Sequence, residues 1–123
     1  AKVLTMDMRC LAWAQVLLTL VYDFIRRFKR DNSIQEKDML IIPQLSFVQS
    51  ALAVTQTGVT PDLYLLELTI EGPFKKYINN ASAVPLDLED EDDQERAEFL
   101  AFTQHYQYLK TQKTLFVSDY QGD

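Results

Sequence analysis

Cysteine, histidine and tryptophan each occur once in these 123 residues, glycine three times and proline four times. The single thiol, Cys10, has no partner for an internal disulfide, and no cluster of thiols exists to hold a metal. That argues against a secreted, disulfide-stapled domain and fits a reducing compartment, so a cytoplasmic location is expected. With so little Gly and Pro beside 47% hydrophobic and 24% charged residues, disorder and collagen-like repeats are excluded. Long apolar runs are also scarce. The most apolar stretch, residues 11–21, is interrupted by Gln15 and Thr19 and followed by Arg26, Arg27, Lys29 and Arg30. It is shorter than a bilayer span, so no membrane partner is expected. No leader or address is recognisable, the chain starts at Ala1, and it reads as a piece of a longer protein. Its length allows one domain.

The formal charge is −6, and one segment accounts for it. Residues 87–98 hold eight carboxylates against Arg96 alone, so the remainder is close to neutral. A nucleic-acid surface needs a basic stripe. The best candidate, Arg26, Arg27, Lys29 and Arg30, closes a helical pattern, where cations complement the helix dipole. No nucleic-acid partner is expected.

Apolar residues recur three and four apart from Asp7 to Arg30 (Leu11, Ala14, Leu18, Val21, Ile25, Phe28), predicting a long, mostly covered helix that stops at Asp31-Asn32-Ser33. Residues 31–38 then form a loop. Residues 45–54 and 64–70 read as strands separated by the turn residues Gly58, Pro61 and Asp62. Gly72-Pro73 closes the second strand, and 79–82 is loop. After Pro85 the acidic run opens a second helix to about Leu109, with Phe99, Phe102, Tyr106 and Leu109 on one face. Residues 114–120 read as a strand covered on both sides. The fold class is α+β, in the order helix, strands, helix, strand.

Few residues carry a chemical signal. Asp119 and Gln121 lie two apart; if strand geometry continues, both side chains point the same way and offer oxygen donors suited to magnesium. The alternative is a cap and a solvated amide at a strand end. His105 lies about 60° from the middle of the apolar face of the second helix and leans inward. Zinc would need three further ligands, and a hydrogen-bonded imidazole is the plainer reading. Glu67 interrupts an apolar strand, so it must be paired, face a cleft or sit at an edge. Lys75 and Lys76, between Phe74 and Tyr77, make a small basic patch that could meet a phosphate. The acidic run lacks the spacing and central Gly of a calcium loop. No Gly-rich phosphate loop, Ser-His-Asp set or thiol motif is present.

Taken together, Glu67 with residues 70–80 (I-E-G-P-F-K-K-Y-I-N-N), Phe99-Leu100-Ala101-Phe102 with His105, and residues 116–122 (F-V-S-D-Y-Q-G) resemble the atypical α-type protein kinases, the fungal members most of all. The resemblance spans nearly the whole chain. It is most specific at the Glu67 strand with its continuation, at the 14-residue step from His105 to Asp119, and at the D-x-Q-G end. It implies a partial two-lobed kinase fold, with residues 1–70 ending the N-lobe at a hinge strand and residues 71–123 entering the C-lobe. Glu67 is similar to the hinge residue that meets the adenine of ATP, and Thr69 falls in the same nucleotide-contacting stretch. Leu68 and Thr69 stand where family members often have Glu or Pro and an aromatic residue.

By the same resemblance, Asp119 is similar to the catalytic aspartate that orients or deprotonates the substrate hydroxyl. Gln121 is similar to the magnesium-binding glutamine, and His105 to the histidine of a structural zinc module. The implied cofactors are ATP, magnesium and structural zinc, and the implied partner is a protein substrate, with the oligomeric state open. The family's phosphate-binding lysine, second magnesium ligand, remaining zinc ligands and Gly-rich segment fall outside these residues. Because phosphoryl transfer depends on positioning and charge neutralisation, the piece alone is expected to be nearly inactive. The rival reading is a noncatalytic interaction module or pseudokinase relic whose acidic helix meets a basic partner. The kinase reading expects Glu67 and Asp119 to border one cleft, with His105 apart from it.

Overall fold

A computed structural model describes residues 2–35, 37, 42–80 and 82–123. Glu36 and Asp38 of the expected 31–38 loop, and Ala81 of the 79–82 loop, lie outside the described residues. The elements are α1 (Lys2–Asp31), β1 (Ser50–Val54), β2 (Leu63–Glu67), β3 (Lys75–Lys76), α2 (Glu91–Lys110) and β4 (Gln121–Gly122). The strands form two antiparallel ribbons, β1–β2 and β3–β4. The architecture is α+β, as the pattern of the sequence predicts.

α1 begins five residues earlier than its apolar periodicity indicates and ends where expected. Ser33 turns left-handed (φ 51°), so the Ile34 N–H reaches Lys29 O (3.0 Å) and the Ser33 N–H reaches Arg30 O (3.3 Å). This paired closure satisfies carbonyls the helix would otherwise leave free. The helix is not mostly covered. Ala14, Leu17, Leu18 and Val21 are buried, while Val3, Met6, Trp13, Val16 and Phe28 are exposed. One two-stranded ribbon and one helix are enough to bury a stripe and no more. Over its full length α1 is also long and apolar enough to cross a membrane, with an 18-residue window of mean hydropathy 1.4. The shorter reading of residues 11–21 understated it, although its buried stripe packs on β1, β2 and α2. Tyr22 ties α1 to the chain ahead of β1: its hydroxyl donates to Pro43 O (2.7 Å) and accepts from the Leu45 N–H (2.8 Å).

Regular strand occupies only part of each predicted run. β1 starts at Ser50, while Leu45 and Phe47 before it pack on the core without a ladder. β2 pairs Leu63–Glu67 with β1 so that Ser50 opposes Glu67 and Leu52 opposes Leu65. Gly58, at φ 101°, supplies the left-handed residue of the connecting turn.

α2 begins as its acidic run predicts. Asp90, in extended backbone, accepts the Asp93 N–H (3.0 Å), and Gln94 Oε1 reaches back to the Leu88 N–H (2.8 Å), satisfying donors at the helix start. Its buried face differs from the apolar one. Phe99 and Tyr106 meet α1 through rings, Tyr22–Phe99 at 5.8 Å and Phe24–Tyr106 at 4.6 Å between centroids, but Phe102 and Leu109 are exposed. The buried stripe is Asp93, Ala97, Leu100, Thr103, Gln104 and Gln107. Hydropathy misses it because polar members such as Thr103 and Gln107 are carried inward by hydrogen bonds. The main core gathers Tyr77, Ile78, Ala97, Leu100 and Tyr120.

The predicted strand 114–120 is irregular. Gln112, Lys113 and Asp119 have positive φ (55°, 63° and 59°), and only Gln121–Gly122 pairs with β3. Leu115 and Phe116 are exposed rather than covered on both sides.

Candidate functional site

Two adjacent strand residues point to opposite faces, so Lys75 and Lys76 cannot form one basic patch; each needs its own partner. Lys75 turns toward α2, where its ammonium pairs with Asp93 Oδ2 while Arg96 Nη1 meets Asp93 Oδ1 at 2.9 Å. Lys76 turns the other way and lies 2.8 Å from Asp119 Oδ1. That oxygen is shielded from solvent and makes no aligned hydrogen bond, so the contact is a Coulombic ion pair.

The β3–β4 register completes the group. Lys76 lies directly opposite Gln121, and directly opposed residues of an antiparallel pair share a face. Lys76, Gln121 and the Asp119 carboxylate therefore gather on one side of the ribbon. The expected route to this convergence was strand alternation between Asp119 and Gln121. The left-handed backbone at Asp119 rules that route out, and cross-strand pairing takes its place. The ribbon is anchored by the Tyr77 N–H to Tyr120 O bond (2.9 Å) and the Tyr77 hydroxyl to Asp123 O (3.1 Å). Ser118 Oγ donates to Asn80 Oδ1 (3.1 Å).

Glu67 ends β2, exposed, on the face shared with Ser50 and Leu65. Together with those two residues it lines a cavity of about 670 Å³ walled by α1 residues including Trp13 and Leu17, and by residues 115–117. Ser50 Oγ donates to Met8 Sδ at its edge (3.3 Å). Asp119 follows two residues beyond this wall and is not among the lining residues, so, contrary to expectation, this cavity does not join Glu67 to Asp119; the chain through Val117 links them instead. Thr69 is exposed past the end of β2.

His105 does not lean inward. It is exposed on α2 because the buried stripe runs round the opposite side of the helix from it, at roughly 100° per residue. Among the described residues no group of three or more His, Cys, Asp or Glu side chains could hold a metal ion. A structural zinc, which needs four ligands, therefore does not fit the residues present. Asp119 and Gln121 offer hard oxygens on one face; with the Lys76 ammonium on Asp119 Oδ1, it is the Gln121 oxygen that fits magnesium when phosphates and water supply the rest.

Sequence reasoning missed Lys76 as the partner of Asp119 and passed over Gln107. The opposite facing of Lys75 and Lys76 was a readable signal for the first. A glutamine within a helix offered none for the second. The alpha-kinase family model matches residues 8–123 of the chain. No curated protein and no solved structure matches it.

Proposed function

The chain belongs to the alpha-kinase family, and from that premise we propose that it carries the hinge strand and phosphate-transfer edge of an ATP- and magnesium-dependent protein serine/threonine kinase. The observation that carries this reading is the Lys76–Asp119 pair on the face of the ribbon shared with Gln121. Asp119 orients the substrate hydroxyl and accepts its proton. Lys76 holds that carboxylate in place and sets a positive charge beside the transferred phosphoryl group, whose reaction depends on positioning and charge neutralisation. Gln121 would hold magnesium, which when bound neutralises phosphate charge.

The cavity beside Glu67 suits the base rather than the phosphates. Among the described residues its charged lining is Asp7 and Glu67, both acidic, and the rest of its wall is mostly apolar, so it repels phosphate and accepts an uncharged purine. Glu67 would mark its hinge side, with Thr69 two residues further on, and Lys76 would offer its charge to the phosphates. The exposed, unpaired Cys10 suits a reducing, cytoplasmic setting.

The test is transfer of labelled γ-phosphate from ATP to a protein substrate by the protein that carries this chain. Asp119→Asn is expected to lower the rate by about 10²–10⁴-fold, with the thermal midpoint little changed. Full activity in Asp119→Asn would remove that residue from the chemistry. A folded wild type that transfers nothing would favour the pseudokinase reading.

A further inference from the structure

Building on the phosphotransfer reading of the ribbon, we infer that Gln107 is the positioning residue that sets the Asp119 carboxylate against Lys76. Asp119 lies in an irregular stretch, since its φ of 59° takes it out of strand geometry and ladder pairing begins only at Gln121. Strand hydrogen bonds therefore cannot fix the backbone before Asp119, and another partner must do so. α2 supplies it. Gln107 is fully buried, and its Oε1 accepts the Val117 N–H at 2.9 Å, two residues ahead of Asp119.

The residue after Asp119 is held on the same face of the helix. The Tyr120 hydroxyl lies 3.3 Å from Thr103 Oγ1, one turn before Gln107. Gln107 Nε2 makes no aligned hydrogen bond. An apolar side chain of similar size would pack there without an idle buried donor, so the distinctive contribution of the amide is its bond to Val117. With Val117 and Tyr120 both pinned to α2, the backbone between them is constrained from each side, and the Asp119 carboxylate is delivered to Lys76.

The experiment compares Gln107→Met, which fills the space without a strong acceptor, with Gln107→Glu, which keeps an oxygen for the Val117 N–H. A double-mutant cycle between Lys76→Met and Asp119→Asn, read by urea unfolding of the full chain, needs no enzymatic activity. With Gln107 intact, the cycle is expected to show coupling of about two- to fivefold in the unfolding constant. Gln107→Met is expected to abolish the coupling and Gln107→Glu to restore it. Val117 amide exchange should accelerate in the first variant and recover in the second. If Gln107→Met does not fold, Gln107→Asn, whose oxygen is drawn back by one methylene, is expected to lose the coupling in its place. In the phosphate-transfer assay, Gln107→Met should lower kcat by about ten- to a hundredfold, as small misplacements do, with KM for ATP nearly unchanged.

Coupling that survives in Gln107→Met, with or without a drop in stability, overturns the inference. Coupling lost in that variant, while the unmodified protein transfers no phosphate, upholds Gln107 as the anchor of Asp119 and overturns the phosphotransfer reading instead.

Discussion

Where β3 passes the first turn of α2, Lys75 and Arg96 close on the two oxygens of Asp93, whose side chain is only 6% exposed. The hydrogen bond from Lys75 holds the Asp93 carboxyl below its ordinary value against the upward push of burial, with the charges of Lys75 and Arg96 adding to the lowering. The same hydrogen bond raises Lys75, again against desolvation. A lowered carboxyl contributes stability that is fully present above its unfolded value of 3.8 and is lost as pH falls through the folded one. A raised ammonium contributes stability that is present below 10.5 and is lost as pH rises through its folded value. Asp93→Asn should therefore be less stable than wild type at pH 7, and chemical denaturation at pH 3 should find the gap narrowed. A constant gap would mean that the pair does not couple to folding. None of this is legible in the sequence, where Asp93 is one of eight carboxylates in a run that reads as the opening of a helix. Burial of one of them is decided by a lysine 18 residues earlier in the chain.

At the scale of elements, α1 shows how sharply a helix can divide its apolar residues. Leu17 is 5% exposed and Val16 58%, because adjacent positions stand about 100° apart around the axis. Leu17→Ala should cost about 2–4 kcal/mol, the usual range for a buried leucine. Val16→Ala should stay within about 0.5 kcal/mol. Urea denaturation of both variants measures the difference, and equal costs would show that the buried stripe has been misplaced. The helix stop at Ser33 and the acidic opening of α2 were readable because both rest on bonds within a few residues. The buried face of α2 was not. Its ring-bearing side attracts attention in the sequence, yet those rings lie against a helix that leaves part of them in water, while Thr103, Gln104 and Gln107 go inward.

At the scale of the whole molecule, the main core cluster is drawn from three distant places in the chain: Tyr77 and Ile78, Ala97 and Leu100, and Tyr120. The β1–β2 ribbon lies outside it, packed on α1 with Leu52, Val54, Tyr64 and Leu66 exposed, and a two-stranded ribbon has little stability of its own beyond such packing. Native-state hydrogen exchange should therefore find the amides of Tyr77 and of α2 around Leu100 at least about tenfold better protected than those of the ribbon. Uniform protection would indicate a single cooperative unit. The same arrangement separates the two halves of the candidate site. Glu67 belongs to the outlying ribbon and its cavity, whereas Lys76, Asp119 and Gln121 stand on the core.

The amino-acid order alone determined the α+β class, the family, the two helices with the stop of the first and the acidic opening of the second, and the turn at Gly58. Each of these depends on periodicity, capping or backbone freedom within a short window, or on motifs read in series. Tertiary structure alone decided that Lys75 and Lys76 serve different carboxylates, that His105 faces water, and that Asp119 meets Gln121 across a ribbon rather than along a strand. Those outcomes depend on which distant segment arrives opposite each side chain, and a left-handed residue at Asp119 redirects the chain in a way that hydrophobic alternation cannot register.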